Sequence, residues 1–196
     1  MSDSPTKRQI ATYTRMADGT QEDYLVLREH SKPLLNKVAD HALTLLLGLQ
    51  ESYPGNLIDR YQHSLQTATR AFRDGAEEEI VVAALLHDIG DLLAPANHAA
   101  LAADILQPYV SASTYWIVKH HGIFQGYYFW HHIGRDRNAR EKFRGHPYFE
   151  RTAEFCHNWD QESFDPNYDT LPLTFFEPMV HRIFAREPWG DHTKQE

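Results

Sequence analysis

Apolar residues recur at helical spacing through most of the chain. Between Pro33 and Gln50 they form one stripe, which comprises Leu34, Leu35, Val38, Ala42, Leu45, Leu46 and Leu49. Positions three and four residues apart share one face of an α-helix, so this stripe predicts an amphipathic helix opened by Ser31 and Pro33. Proline and glycine interrupt helices, so the segment 53–56 (Tyr-Pro-Gly-Asn) ends it.

The same pattern continues in the rest of the sequence. Helices are predicted at about residues 57–74, 77–89, 98–106, 113–121, 146–157 and 172–186. Asn56 and Asn97 are candidate N-caps, and Gly90 ends the predicted helix 77–89. Alternation typical of strands is essentially absent, so we predict an all-α protein.

Length and composition narrow the class of protein. The chain has 196 residues, which suits one domain with a sizeable core. We expect a flexible N-terminal segment, residues 1–20, followed by a single domain, residues 21–196. The formal net charge of -8 argues against general affinity for nucleic acid or an anionic membrane.

The cysteine content and the lack of long apolar runs predict the cellular location of the protein. Its single cysteine, Cys156, excludes an intramolecular disulfide and fits a reducing compartment. The polar N-terminal residues show no signal peptide, and no apolar run is long enough to span a membrane. We therefore expect a cytoplasmic protein with no membrane or nucleic-acid partner, whose oligomeric state the sequence leaves open.

The dyad His87-Asp88 is the strongest chemical signal. It follows the apolar run from Val81 to Leu86, so an imidazole and a carboxylate stand at the end of a helix that should be buried. Burying such a pair is costly unless something compensates, and a metal ion is the usual compensation. The alternative is a polar pair at a helix end, with Asp88 capping the segment after Gly90.

Further potential ligands surround the dyad in sequence. They are His63, His98, His120, His121 and Asp160. Together with the dyad they provide enough nitrogen and oxygen donors for two metal ions that share one carboxylate. Such donors suit iron, manganese, zinc or nickel, and the missing thiolates argue against an iron–sulfur cluster or a structural zinc. The chain has 13 histidines, so an accidental series is the competing explanation.

These residues resemble a known family. His63, His87-Asp88 and Asp160 match the four-residue pattern of the HD-domain superfamily of metal-dependent phosphohydrolases, whose fold is a helical bundle around a metal site. With His98 and His120 added, the pattern is similar to the subgroup that binds two metals. The resemblance thus implies an all-α HD-domain bundle around a dinuclear metal site, with residues 21–196 as a single HD domain.

A narrower resemblance points to the HD-domain mixed-valent di-iron oxygenases, which include the organophosphonate oxygenases and, more distantly, inositol oxygenase. Three segments carry it: 61–68, 98–106, and Trp159-Asp160-Gln161 followed by Asp165-Pro166. The resemblance implies one iron on His63, His87 and Asp160, the other on His98 and His120, and Asp88 as the bridge. Ile117 lies three residues before His120 and favours it over His121 in the helical register, which leaves His121 as a substrate contact or supporting residue.

Tyr53 is a further candidate. It lies ten residues before His63, where the phosphonate oxygenases have a tyrosine that ligates iron until substrate displaces it. The glutamate that follows three residues later in those enzymes is Asn56 here, so this chain departs from the pattern of that switch. The alternative is a turn aromatic that packs under Pro54.

Two differences from the phosphonate oxygenases bear on the substrate. The phosphonate enzymes have a histidine three residues after the dyad's aspartate and a lysine after the second-iron histidine, whereas this chain has Asp91 and the segment 122–125 (Gly-Ile-Phe-Gln). Losing these cations argues against a phosphonate substrate. The aromatic residues within 124–130 suit either a lid or cage over the site, or ordinary core or dimer surface.

The resemblance implies a di-iron oxygenase that oxidises a small substrate, hydroxylated or with a similar oxygen donor, with dioxygen at a mixed-valent Fe(II)/Fe(III) pair. The alternative is a phosphohydrolase that acts on a nucleotide or other phosphate ester with manganese, nickel or zinc. The same six ligands serve both chemistries. The local resemblance and the scarcity of basic residues near the dyad favour the oxygenase. A non-catalytic regulatory module is disfavoured because every ligand position is filled.

Overall fold

A computed structural model describes residues 10–50, 52 and 55–194. Its α-helices are α1 (Gln21–Leu35), α2 (Val38–Leu47), α3 (Arg60–Arg73), α4 (Glu78–Leu86), α5 (His98–Leu106), α6 (Ala112–Phe129), α7 (Phe149–Phe155) and α8 (Leu173–Phe184). No residue in these ranges lies in a β-strand, so the all-α prediction is confirmed. None of the helices described is both long and apolar enough to cross a membrane.

Contacts along the chain divide it after Val38 into two units. In the first unit, the Thr20 and Asp23 side chains form a capping box that starts α1. Pro33 lies inside α1 and does not open a new helix, so the predicted helix from Pro33 to Gln50 is wrong. The apolar stripe is instead divided between the end of α1 and α2. In the predicted flexible segment, residues 1–20, positions 1–9 lie outside the described residues and positions 10–20 include a 3₁₀ turn, Met16–Asp18. The flexibility of this segment stays a prediction.

Helix α4 forms the centre of the second unit. Every residue from Ile80 to Leu86 is buried, because α4 packs against α3, α6 and α8. A helix that is apolar on all sides is stable only when other elements surround it, and each large aliphatic side chain buried in this way contributes about 1.5–3 kcal/mol. The dyad therefore stands at the end of the most buried helix in the described chain.

Helix α3 begins with Asp59, not with Asn56 as predicted. The Asp59 carboxylate accepts a hydrogen bond from the Gln62 backbone N–H at 2.7 Å, and its extended backbone is the conformation that an N-cap residue requires. This start places His63, Gln66 and Thr67 on the buried face of α3. Their shared face follows the three- and four-residue spacing of a helix.

Helix α6 is longer than predicted. The Ser111 hydroxyl caps it by accepting a hydrogen bond from Thr114 N–H, and the helix continues through Gly122 and Gly126 to Phe129. A Cβ atom on Gly126 would lie 2.4 Å from the Trp130 ring, so the absence of a side chain allows Trp130 to pack against the helix. Gly126 therefore serves the packing of Trp130, and neither glycine ends α6.

A π-helical turn, Cys156–Asp160, follows α7 directly. Its wider hydrogen-bonding pattern is visible in the bond of 3.0 Å from Gln161 N–H to the Cys156 carbonyl. A π turn adds a residue relative to an α-helix and so changes the direction of the side chains after it. Here it ends at Asp160, which is completely buried.

Glu79 ties three helices of the second unit together. Its carboxylate, on α4, pairs with the Arg186 guanidinium just after α8, and it accepts a hydrogen bond of 2.8 Å from Ser111 N–H at the start of α6. Burial raises the pKa of Glu79, but hydrogen bonds from Thr114, Arg186 and Ser111 outweigh burial and hold the pKa below its usual value. The ionised carboxylate therefore stabilises the fold at pH values above the pKa of the unfolded chain.

Glu79→Gln is expected to lower the free energy of unfolding by about 2 kcal/mol at about pH 7, because charge-assisted hydrogen bonds are lost. The difference from the wild type should shrink as the pH falls to about 4, since a group with a lowered native pKa loses its contribution on protonation. Urea denaturation followed by circular dichroism measures both values. Glu78→Gln is the control: Glu78 pairs with Arg182 at the exposed surface, so a loss below about 1 kcal/mol is expected. Equal losses for the two variants would contradict the role of Glu79.

Candidate metal centre

A cluster of histidines and aspartates lies where α3, α4, α5, α6 and the π turn meet. Its members are His63, His87, Asp88, His98, His121 and Asp160. All are buried except His98, whose side chain is 23 % exposed. Each comes from a different element, apart from the dyad at the end of α4, so only the tertiary fold assembles the cluster.

The first half of the cluster consists of His63, His87 and Asp160, here called the His63 group. The Nε2 atom of His63 lies 3.2 Å from Nε2 of His87 and 3.2 Å from Oδ1 of Asp160. Asp88 Oδ2 faces this group, 3.7 Å from His63 Nε2 and 3.6 Å from His87 Nε2. Donor atoms this close can hold one metal ion between them.

The second half consists of His98 and His121, here called the His98 group. Their Nε2 atoms lie 3.3 Å apart. Asp88 Oδ1 is 3.4 Å from His98 Nε2 and 3.3 Å from His121 Nε2. Asp88 therefore directs one carboxylate oxygen to each group, which is the arrangement of a carboxylate that bridges two cations.

The backbone fixes which nitrogen each histidine presents. Every Nδ1 atom faces a carbonyl oxygen: His63 at Ser163 (2.9 Å), His87 at Ala84 (2.8 Å), His98 at Pro95 (3.1 Å) and His121 at Val118 (2.7 Å). A carbonyl only accepts, so Nδ1 carries the proton, and Nε2 of the neutral ring keeps its lone pair. Two Nε2 lone pairs that point at each other repel unless a cation lies between them. These donor atoms therefore fit a bound metal ion.

The electrostatics of the His63 group favour positive charge. Burial lowers the pKa of His87, but Asp88 and Asp160 outweigh burial and raise that pKa to about 9. Burial raises the pKa of Asp160, but hydrogen bonds from His63 and His87 hold it below its usual value. Asp160 Oδ2 is buried without a hydrogen-bond partner among the described residues. A metal cation would satisfy these same atoms.

Gly90 brings His98 to the dyad. A Cβ atom at this position would lie 2.2 Å from the His98 carbonyl oxygen and 2.7 Å from its Cα. Only glycine permits this approach between the turn after the dyad and the start of α5. The glycine at position 90 is thus part of how the sequence builds the His98 group.

Arg60 is a site residue that the sequence analysis missed. Its Nη1 lies 2.8 Å from Asp88 Oδ2, and its Nε lies 2.9 Å from Asp91 Oδ2. Asp91 also faces His98, with Oδ1 3.3 Å from Nδ1. The premise that basic residues are scarce near the dyad is therefore wrong. The signal was available, because Arg60 lies three residues before His63 and so on the same side of α3.

The choice of His120 over His121 is corrected by the structure. His121 faces the cluster, whereas the His120 ring stacks on Trp116 at 4.1 Å and its Nδ1 bonds to the Trp116 carbonyl. Adjacent residues on a helix point about 100° apart, so only one of the two can reach Asp88. Ile117 lies one turn before His121 as well as before His120, so its burial could not separate them.

Tyr53 lies outside the described residues, so its role stays a prediction. Asn56 lies at the cavity described next. Of the aromatic segment, Phe124 belongs to the buried core, which agrees with the core interpretation for that residue. Tyr128 and Trp130 line the cavity, as the lid interpretation requires.

A cavity of about 760 Å³ opens beside the cluster. Asp88, Asp160 and both residues of the His98 group reach its wall. Its other walls include two cations, Arg60 and Arg135, the amide Gln125, and aromatic rings. A cavity of this size suits a small molecule, and the mixture of apolar wall and few polar groups is typical of a substrate pocket.

Comparison with known families agrees with this geometry. Residues 60–154 match the model of the HD domain family. The match begins at α3 and contains five of the six clustered residues; Asp160 follows it. The match covers slightly less than half of the chain. Together with the all-α bundle, it supports an HD-domain fold and membership of the HD-domain superfamily. No curated protein sequence matches the chain significantly.

His121→Ala is expected to reduce the metal bound per chain by about one ion, because a ligand of the His98 group is lost. His120→Ala should leave the metal content unchanged, since the His120 ring contacts Trp116 and not the cluster. Elemental analysis of the purified variants measures the metal, and circular dichroism checks that both fold. Loss of metal from the His120 variant alone would contradict the corrected assignment.

Proposed function

We propose that the cluster binds two metal ions, with Asp88 as their shared ligand. The observation that carries this proposal is the division of the Asp88 carboxylate between the two groups, with each oxygen within 3.7 Å of two imidazole nitrogens. The His63 group adds a second carboxylate, whereas the His98 group has only its two histidines. The metal at the His98 group would therefore have fewer protein ligands, and that group faces the cavity.

We further propose that the protein is a di-iron oxygenase that oxidises a small organic substrate, hydroxylated or with a similar oxygen donor, with dioxygen. Histidine and carboxylate ligands without thiolate suit iron, and the segments around His63, His98 and Asp160 resemble those of the mixed-valent HD-domain oxygenases. When bound, the iron pair would supply the redox chemistry that no protein side chain provides. Manganese, nickel and zinc are the alternatives that this ligand set also accepts.

The chain's own residues orient the metal ligands and determine which of them a small molecule can reach. The carbonyl groups that bind each Nδ1 orient the imidazoles, so the donor atoms are in place before a ligand enters. His63 and His87 are nearly inaccessible, whereas His98 is partly exposed on the cavity side. Exchangeable ligands therefore approach the His98 group along a cavity wall that includes the aromatic rings of Tyr128 and Trp130.

A phosphohydrolase is the second candidate, and the two arginines at the cavity favour it. Arg60 contacts the shared carboxylate, and Arg135 lies farther along the wall with its guanidinium 5.5 Å from the Trp130 ring. Guanidinium groups bind phosphate oxygens strongly, so these cations could hold a phosphate ester. In that reaction the metals would lower the pKa of a bound water for attack on phosphorus. The ligand set is equally compatible with both reactions.

Metal analysis with EPR distinguishes the two candidates. Protein purified from iron-supplemented cells should contain two iron ions per chain and give a mixed-valent di-iron signal after partial reduction. Consumption of oxygen with small hydroxylated compounds would then identify the substrate class. Two manganese, nickel or zinc ions, no such signal, and hydrolysis of phosphate esters would establish the second candidate instead. Protein that binds no metal would contradict both.

Asp88→Ala is expected to abolish the binding of both metals, because the bridge supplies a ligand to each. His98→Ala should lose mainly one ion. The control is Asp104→Ala, which removes an exposed carboxylate of α5 that does not belong to the cluster. Elemental analysis after exhaustive dialysis gives the number of ions retained per chain. If Asp88→Ala retained two tightly bound ions, the bridging assignment would be wrong.

A further inference from the structure

Gln125 lies one helical turn after His121 on α6, between the cluster and the cavity. Its Nε2 donates a hydrogen bond of 2.7 Å to Asp160 Oδ1. Because an ionised carboxylate only accepts hydrogen bonds, this contact determines which end of the amide carries the nitrogen. A rotated amide would place its oxygen against the carboxylate oxygen, which is repulsive.

The other end of this amide has no hydrogen-bond partner among the residues that the structure describes. Gln125 Oε1 is buried, and no donor within the described residues reaches it. A buried acceptor without a hydrogen bond costs about 1–3 kcal/mol, so such groups normally have a partner or a function. The half-buried Gln125 side chain lines the cavity beside the cluster, and a small shift of its amide would bring Oε1 to a donor on a bound ligand.

We propose that Gln125 is a substrate-binding residue that selects molecules with an N–H or O–H donor near their metal-binding oxygen. This inference rests on the proposed dinuclear centre and narrows its substrate class. An acceptor held in place by Asp160 attracts a hydroxyl, amine or amide, and it repels a deprotonated oxygen of a phosphonate or carboxylate at the same place. The group nearest Gln125 in the substrate is therefore a hydrogen-bond donor.

Two hydroxamates test this selectivity. Acetohydroxamate and N-methylacetohydroxamate both chelate metal through two oxygens, but only the first carries an N–H donor. Their dissociation constants for the metal-loaded wild type and the Gln125→Met variant are measured by absorbance or calorimetry. We expect the preference of the wild type for acetohydroxamate over the N-methyl compound to fall about threefold to tenfold in the variant, which is the value of one hydrogen bond.

Controls separate this inference from the proposed function. Gln161→Met makes the same substitution at a neighbouring residue of the cavity whose amide donates to the His157 carbonyl and not to the cluster, so its preference should equal that of the wild type. Gln125→Leu replaces Gln125→Met if the latter misfolds. Failure to load two metals contradicts the proposed function. If the metal-loaded Gln125 variants keep the preference of the wild type, or if the loaded wild type binds neither hydroxamate, the role of Gln125 alone is overturned.

Discussion

The carboxylate of Asp88 imposes the main physical constraint on this protein. It is buried at the end of α4, a helix surrounded by three others, where an uncompensated negative charge is very costly. Positive or polar groups must therefore converge on it: Arg60 from α3, and imidazoles from four different parts of the chain. The surrounding bundle is arranged so that these groups reach both carboxylate oxygens. The same need for compensation makes this the place where a pair of metal cations fits best.

Hydrogen bonds between Nδ1 atoms and backbone carbonyls orient the imidazoles toward the proposed metal site. His87, His98 and His121 each direct Nδ1 to the carbonyl oxygen three residues earlier in the chain, at Ala84, Pro95 and Val118. His63 instead uses the carbonyl of Ser163, a hundred residues away in sequence. His120, which does not face the cluster, bonds to a carbonyl four residues earlier. The backbone bond thus sets both the tautomer and the direction of each ring before any ligand is bound.

The charged groups around the cavity bear on the chemistry of the substrate that the cavity suits. Asp91 takes the place of a cationic residue in the phosphonate oxygenases, but it pairs with Arg60 and faces His98, so its negative charge is partly neutralised. The cavity therefore offers guanidinium groups, side-chain amides and aromatic surface together. This combination suits a small polar molecule with several functional groups better than a purely apolar one.

The sequence by itself determined the helical class, the buried α4, the dyad at its end and most of the candidate ligands, because these follow from local periodicity and residue chemistry. Tertiary structure decided the rest. The register of α6, set by its cap at Ser111, selects His121 over His120, and the π turn directs Asp160 into the cluster. The contact between Gln125 and Asp160 forms only because α6 meets the π turn, although the spacing between Arg60 and His63 had already placed Arg60 on the same side of α3. Side-chain direction depends on where each helix begins and on what it packs against, and neither is visible in a one-dimensional pattern.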